Sequence, residues 1–131
     1  MAHAARLPTP PDAAIERHLL DWVGRHLGGH EHEQQVMRLA TRLFDLTAHR
    51  HRLDDRFRAL LRWSAIVHDV GRAIDDADHP AEGAFMLLAD TTLPLTTRDR
   101  RWLAFLTRYH RGRVPGRGEE SILHPDDPRD A

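Results

Sequence analysis

Apolar residues recur along this chain at the three- and four-residue spacing of amphipathic helices, with no convincing run of strand-like alternation. Ile15, Leu19, Val23 and Leu27 mark a first helix over about 13–27, with Asp12 as its N-cap and Gly28-Gly29 as its stop. Val36, Leu39, Ala40, Leu43 and Phe44 give the inward face of a second, over about 31–48. Phe57, Leu60, Leu61, Ser64 and Val67 do so for a third, over about 54–69, and Gly71 then marks a stop or tight turn. Proline favours the first helical position, so His79-Pro80 opens a fourth helix over about 80–90 with His79 as its N-cap. Glu82, at the third helical position, suits the helix dipole. A fifth helix starts at Thr96 or Thr97 and turns Trp102, Phe105, Leu106 and Tyr109 to one face. The pattern predicts an all-α bundle of about five helices.

With 131 residues the chain has room for one modest core. Residues 1–11, rich in Pro and Ala, are expected to be disordered. Residues 12–115 carry the helical domain, and the breaker-rich stretch 116–131 is expected to be an irregular tail. The net charge of −1 gives no indication of nucleic acid or an anionic membrane as partner. No apolar run approaches the roughly 20 residues of a membrane span, and the N-terminus lacks the apolar core of a signal peptide. The expected location is the cytoplasm. All nineteen basic residues are arginine, which fits the composition of a GC-rich genome. There is no cysteine, so any metal must be held by nitrogen and oxygen ligands.

Eleven histidines make that chemistry worth pursuing. His32 extends the apolar stripe of the second helix, His68 that of the third (Leu61, Ser64, His68), and His110 that of the fifth (Leu103, Leu106, His110). His79 caps the fourth. A single histidine on an apolar face is most often a hydrogen-bonded core residue. Four of them at the ends of separate helices, with Asp69 beside His68, are hard to satisfy by mutual hydrogen bonds. Neutral imidazole and carboxylate are the natural ligands of Zn, Fe, Mn, Co or Ni, and a divalent cation would offset the cost of burying Asp69.

These residues resemble the signature of the HD superfamily of metal-dependent phosphohydrolases, His … His-Asp … Asp with extra histidines where two metals bind. His32 matches the first histidine and His68-Asp69 the namesake pair. "VHDVGRA" resembles the family's hydrophobic-His-Asp-Ile-Gly run. "DHPAEGAFML" resembles its His-x-x-x-Gly-Ala helix, with His79 as an accessory ligand, and His110 in "RYHRGRVP" matches another. Within the superfamily the chain is most similar to the helical C-terminal domain of exopolyphosphatase and guanosine pentaphosphatase. The likeness rests on "HEQQVMRLATRLFD", "LLRWSAIVHDVGRAI" and "LTTRDRRWLAFLTRYHRGRVP". One departure stands out. The family's last ligand is an aspartate on a helix after the "RYHR" segment, whereas Asp126, Asp127 and Asp130 stand in a Pro-rich tail.

The resemblance implies an HD-type helical domain and a metal-dependent phosphohydrolase that cleaves a phosphate ester or nucleotide through a metal-activated water. It implies one or two divalent ions (Mn, Fe, Ni, Co, Zn or Mg), held by His32, His68, Asp69, His79 and His110. Asp69 would bridge them. Asp75 or Asp76, in the loop with Asp78, would serve as general acid or as an outer partner of a histidine. Arg72, Arg108 and Arg111 are the candidates for holding phosphate, and each also fits a solvated surface charge. The expected partner is a small phosphorylated substrate or nucleotide, and a homo-oligomer is compatible with the sequence. The alternative is a catalytically weak or inactive module that binds a nucleotide or polyphosphate, or regulates a partner, without turnover.

Overall fold

The computed structural model describes residues 12–111, 115–118 and 122–123. They form six α-helices: α1 (Asp12–Leu27), α2 (Glu31–Leu46), α3 (Ala48–His51), α4 (Asp55–Val67), α5 (His79–Ala89) and α6 (Thr97–Arg108). A 3-10 turn, Val70–Ala73, links α4 to α5. No strand occurs among the described residues, so the all-α expectation holds. The expectations for residues 1–11 and for most of 116–131, including Asp126, Asp127 and Asp130, lie outside the described residues. No helix is long and apolar enough to cross a membrane.

Helix α4 is the axis of the bundle and packs against α1, α2 and α6, while α5 packs against α6 and the 3-10 turn. Its start is fixed locally, since the Asp54 carboxylate accepts from the amides of Arg56 and Phe57. Its buried face, Leu60, Trp63, Ala65, Ile66 and Val67, meets Ile15, Leu19, Trp22 and Val23 of α1 and Leu103 and Ala104 of α6 in one core. Each large aliphatic side chain fully buried there contributes about 1.5–3 kcal/mol. Thr96 caps α6 as expected, its hydroxyl accepting from the Asp99 amide.

Several expected faces are rotated. On α2 the buried positions are Glu33, Met37 and Thr41, while Leu39 and Leu43 are exposed. Thr41 is tolerated inside because its hydroxyl donates to the Met37 carbonyl and accepts from Arg62. On α6 the buried positions are Asp99, Arg100, Leu103, Ala104 and Thr107, and Trp102, Phe105, Leu106 and Tyr109 are only half-buried. Phe57 of α4 is also exposed. Asp12 is already helical, and α2 ends at Leu46, with α3 taking up residues assigned to its last turn and the following loop. His79 is the first residue of α5, behind Asp78 as N-cap, and is fully buried.

The buried charges on α6 are matched. Asp99 pairs with Arg56. The Arg100 guanidinium donates to the carbonyls of Leu87 (2.7 Å), Leu93 (3.1 Å) and Asp90, closing the C-terminal end of α5. Arg100→Leu removes those donors while leaving the carbonyls buried. Urea denaturation is expected to show a loss of about 3 kcal/mol; a loss under 1 kcal/mol would refute the capping role.

Candidate metal centre

Each histidine of interest sits where one helix ends or begins. His68 is the C-cap of α4, and the next residue, Asp69, is the N-cap of the 3-10 turn. His110 lies just past Tyr109, the C-cap of α6. His79 opens α5, and His32 lies in the first turn of α2. Gly71 and Gly83 let the 3-10 turn and α5 meet backbone to backbone. A Cβ on Gly71 would fall inside the contact shell of the His79 carbonyl oxygen and 2.5 Å from the Gly83 amide. That approach brings His79 against Asp69.

The four imidazoles converge on one carboxylate. His68 Nε2 is 3.3 Å and His32 Nε2 3.6 Å from Asp69 Oδ2. His79 Nε2 is 3.2 Å and His110 Nε2 3.8 Å from Oδ1 of the same residue. The donor atoms fall into two groups that share Asp69, namely His32, His68, Asp69 and Asp69, His79, His110. Asp69 and His79 are buried, and the side chain of His32, expected to extend the buried stripe, is instead 66% exposed. Its ring still reaches the carboxylate from the solvent side.

Three rings are oriented by the same device. Nδ1 of His68, His79 and His110 lies 2.7, 2.9 and 2.7 Å from the carbonyls of Ala65, Asp76 and Thr107, each three residues earlier. A carbonyl only accepts, so Nδ1 carries a proton, and in its neutral form each ring turns a lone pair on Nε2 inward. His79 Nε2 and His110 Nε2 are 3.3 Å apart, and with both rings in that neutral form no proton stands between them. Lone pairs and a buried carboxylate thus face one another, an arrangement that a cation relieves. Burial, the largest cause, lowers the pKa of His110, and the neighbouring His68 and His79 add to the effect against the opposing pull of the Thr107 carbonyl and Asp69. The neutral ring that can act as a ligand is the favoured form.

The spacing fits a metal. At metal–ligand distances of about 2.0–2.2 Å, neighbouring ligands on one ion lie roughly 3–3.5 Å apart. The shorter separations here match without rearrangement, and the 3.6 and 3.8 Å ones need small ring shifts. The residues present can hold a metal.

The other candidates sit farther out. Arg72 Nε is 3.8 Å from Asp69 Oδ1 and 3.3 Å from Asp76 Oδ1, so it links the site to the loop. The Asp76 carboxylate is otherwise solvent-facing, and its carbonyl is what orients His79. Asp75 is exposed and accepts from the Ala77 amide in a local turn. Arg108 stacks over the Tyr109 ring at 5.1 Å, and Arg111 is exposed. The sequence reading missed the three orienting carbonyls. Backbone acceptors leave no mark in residue identity, though a histidine just past a helix end is well placed to reach back three residues.

Comparison with known proteins agrees with the resemblance to exopolyphosphatase and guanosine pentaphosphatase. The family model described as Ppx/GppA phosphatase, domain III, matches residues 25–126. No curated protein and no solved structure matches the chain. The matched span covers most of the chain and includes every residue of both clusters, and the protein belongs to the Ppx/GppA phosphatase domain III family.

Proposed function

We propose that the protein is an HD-type, metal-dependent phosphohydrolase whose domain spans residues 12–115 and whose centre is the Asp69 cluster. The observation that carries this reading is the convergence of four imidazole Nε2 atoms on one buried carboxylate, three of them aimed by backbone carbonyls. His32, His68 and Asp69 would hold one divalent ion and Asp69, His79 and His110 a second. When bound, such ions supply Lewis acidity toward phosphoryl oxygens and make water acidic near neutral pH.

The chain's own residues do the rest. The carbonyls of Ala65, Asp76 and Thr107 hold the rings in one tautomer, as outer partners of metal-binding histidines commonly do. Arg72, half-exposed beside Asp69, is placed to pair with a phosphate oxygen at the rim, and exposed His32 marks the open side from which a phosphate ester would enter. Arg108 and Arg111 flank His110 and are the next candidates for that role. Asp75 and Asp76 lie in the loop on the same side, where one could protonate a leaving group. The substrate class is a phosphate ester or nucleotide.

A second reading, a module that binds phosphorylated ligands without turnover, is favoured by one observation. Among the described residues Asp69 is the sole carboxylate in either cluster, and the Asp75 and Asp76 side chains face solvent. One experiment separates the readings. Protein purified without chelator is analysed for metals, then assayed on p-nitrophenyl phosphate, its bis ester and nucleotides with Mn or Ni added. Bound metal, with turnover that His68→Ala abolishes and His49→Ala leaves intact, supports the enzyme. Metal without turnover leaves the binding module, and no metal at all refutes the centre.

A further inference from the structure

The two donor groups that share Asp69 are unequal. In the inner one, the side chains of His79 and His110 are 1% and 18% exposed. Both rings are held at Nδ1 by a backbone carbonyl, and their Nε2 atoms already stand 3.3 Å apart. In the outer group only His68 is held this way, by the Ala65 carbonyl. The His32 side chain is 66% exposed, and among the described residues nothing bonds to its Nδ1.

Two physical effects then separate the groups. The first is pre-organisation. A partner that orients a metal-binding histidine is worth about 10–100-fold in metal affinity, and His32 has none. Its exposed ring must also give up rotational freedom on binding. The second effect is charge. Asp69 is the sole carboxylate in either group among the described residues, and the imidazoles bind as neutral rings. Glu33, buried and next to His32 in the chain, belongs to neither group. Arg72 and Asp76 pair with each other beside Asp69 and leave the balance unchanged. One divalent ion therefore outweighs the single carboxylate. A second ion on that carboxylate meets the surplus at short range, where like charges in a partly buried site repel strongly. An anion that arrives with the second ion cancels that repulsion, and the exposed side at His32 gives it access.

We propose that the centre loads in a fixed order, an inference that rests on the proposed function. Asp69, His79 and His110 take one divalent ion first. His32, His68 and Asp69 take a second, weaker one only together with the phosphate of a ligand. Phosphate and the outer ion are then coupled, each raising the affinity for the other by the same factor. The resting protein holds a single ion, and His32 completes the second position when metal and phosphate are both present.

The test is equilibrium dialysis of the full chain, first stripped with chelator, against Mn with and without inorganic phosphate at matched free Mn. Bound Mn per chain is the readout. The expected result is one Mn per chain without phosphate and two with it. His32→Ala, at an exposed position, should bind the first Mn as the wild type does and fail to bind the second. His110→Ala should weaken the first by roughly a hundredfold or more, since losing a ligand costs more than losing the partner that orients it. Circular dichroism checks that the variants fold, and His32→Ala decides the order by itself if His110→Ala does not. Two Mn bound equally well without phosphate, a stoichiometry that phosphate does not change, or loss of the first Mn in His32→Ala overturns the order while leaving a metal centre in place. No Mn bound under either condition defeats the proposed centre itself, and the order with it.

Discussion

Under the proposed function, Asp69→Asn is expected to abolish metal binding at both clusters and, with it, phosphohydrolase turnover, while leaving the fold in place. The argument rests on sharing. Oδ2 of this one carboxylate faces His32 and His68, and Oδ1 faces His79 and His110. Replacing any one histidine removes a ligand from one group; replacing Asp69 removes the charged ligand from both. The amide is nearly isosteric, and its N–H2 group can donate to the lone pairs on the surrounding Nε2 atoms. The metal-free protein should therefore keep its stability to within about 1 kcal/mol, since a satisfied buried polar group replaces a buried charge. The reading is a thermal melt with and without Mn or Ni. The wild type should gain stability with added metal, by roughly 2.7 kcal/mol at a hundredfold excess over Kd, and Asp69→Asn should gain none. A variant that still gains stability, or still turns over, would show that the ion is not held at Asp69.

The parts of this centre legible in the sequence were those carried by residue identity. His68-Asp69 at the end of an apolar run, His79 before Pro80, and His32 and His110 at helical spacing from core residues were all visible, and folding brings the five together. Their surroundings were less legible. Glu33, Thr41, Asp99 and Arg100 are not among the inward positions that the apolar spacing picks out, yet all four are buried. Thr41, Asp99 and Arg100 are admitted because Arg62, Arg56 and the Leu87 and Leu93 carbonyls complete their hydrogen bonds. A partner supplied by another helix cannot be read from spacing, and hydrophobicity alone then turns α2 and α6 to the wrong face. Leu39 and Leu43 were counted as core, so their exposure on the surface became visible only once α2 was seen to turn Met37 and Thr41 inward.

Gly71→Ala is expected to be the most damaging of the glycine-to-alanine substitutions, with a loss of at least about 3 kcal/mol in urea denaturation. The sequence marked this glycine as a stop or tight turn. Its structural reason is different, because it is not among the glycines with positive φ. It is required for close approach: its missing Cβ would overlap the His79 carbonyl oxygen and lie 2.5 Å from the Gly83 amide nitrogen and 2.8 Å from the His79 carbonyl carbon. These are backbone atoms at the start of α5, and no rotamer change can move them aside. The turn and the helix must separate, which would pull Asp69 away from His79 and open the gap that a shared ion would span. Loss of stability and loss of metal binding should therefore appear together. Two other glycines set the scale. At Gly83 an added methyl meets the Thr107 Cγ2 at 2.9 Å, a side-chain atom, and its nearest backbone neighbour lies at 3.4 Å, so Gly83→Ala should cost less. At Gly28 nothing lies within 4 Å and only the positive φ of 83° resists, so Gly28→Ala should cost about 1–2 kcal/mol. The expected order of loss is Gly71, then Gly83, then Gly28. A Gly71→Ala protein that melts like the wild type and still takes up metal would show that the turn and α5 do not meet as closely as this geometry requires.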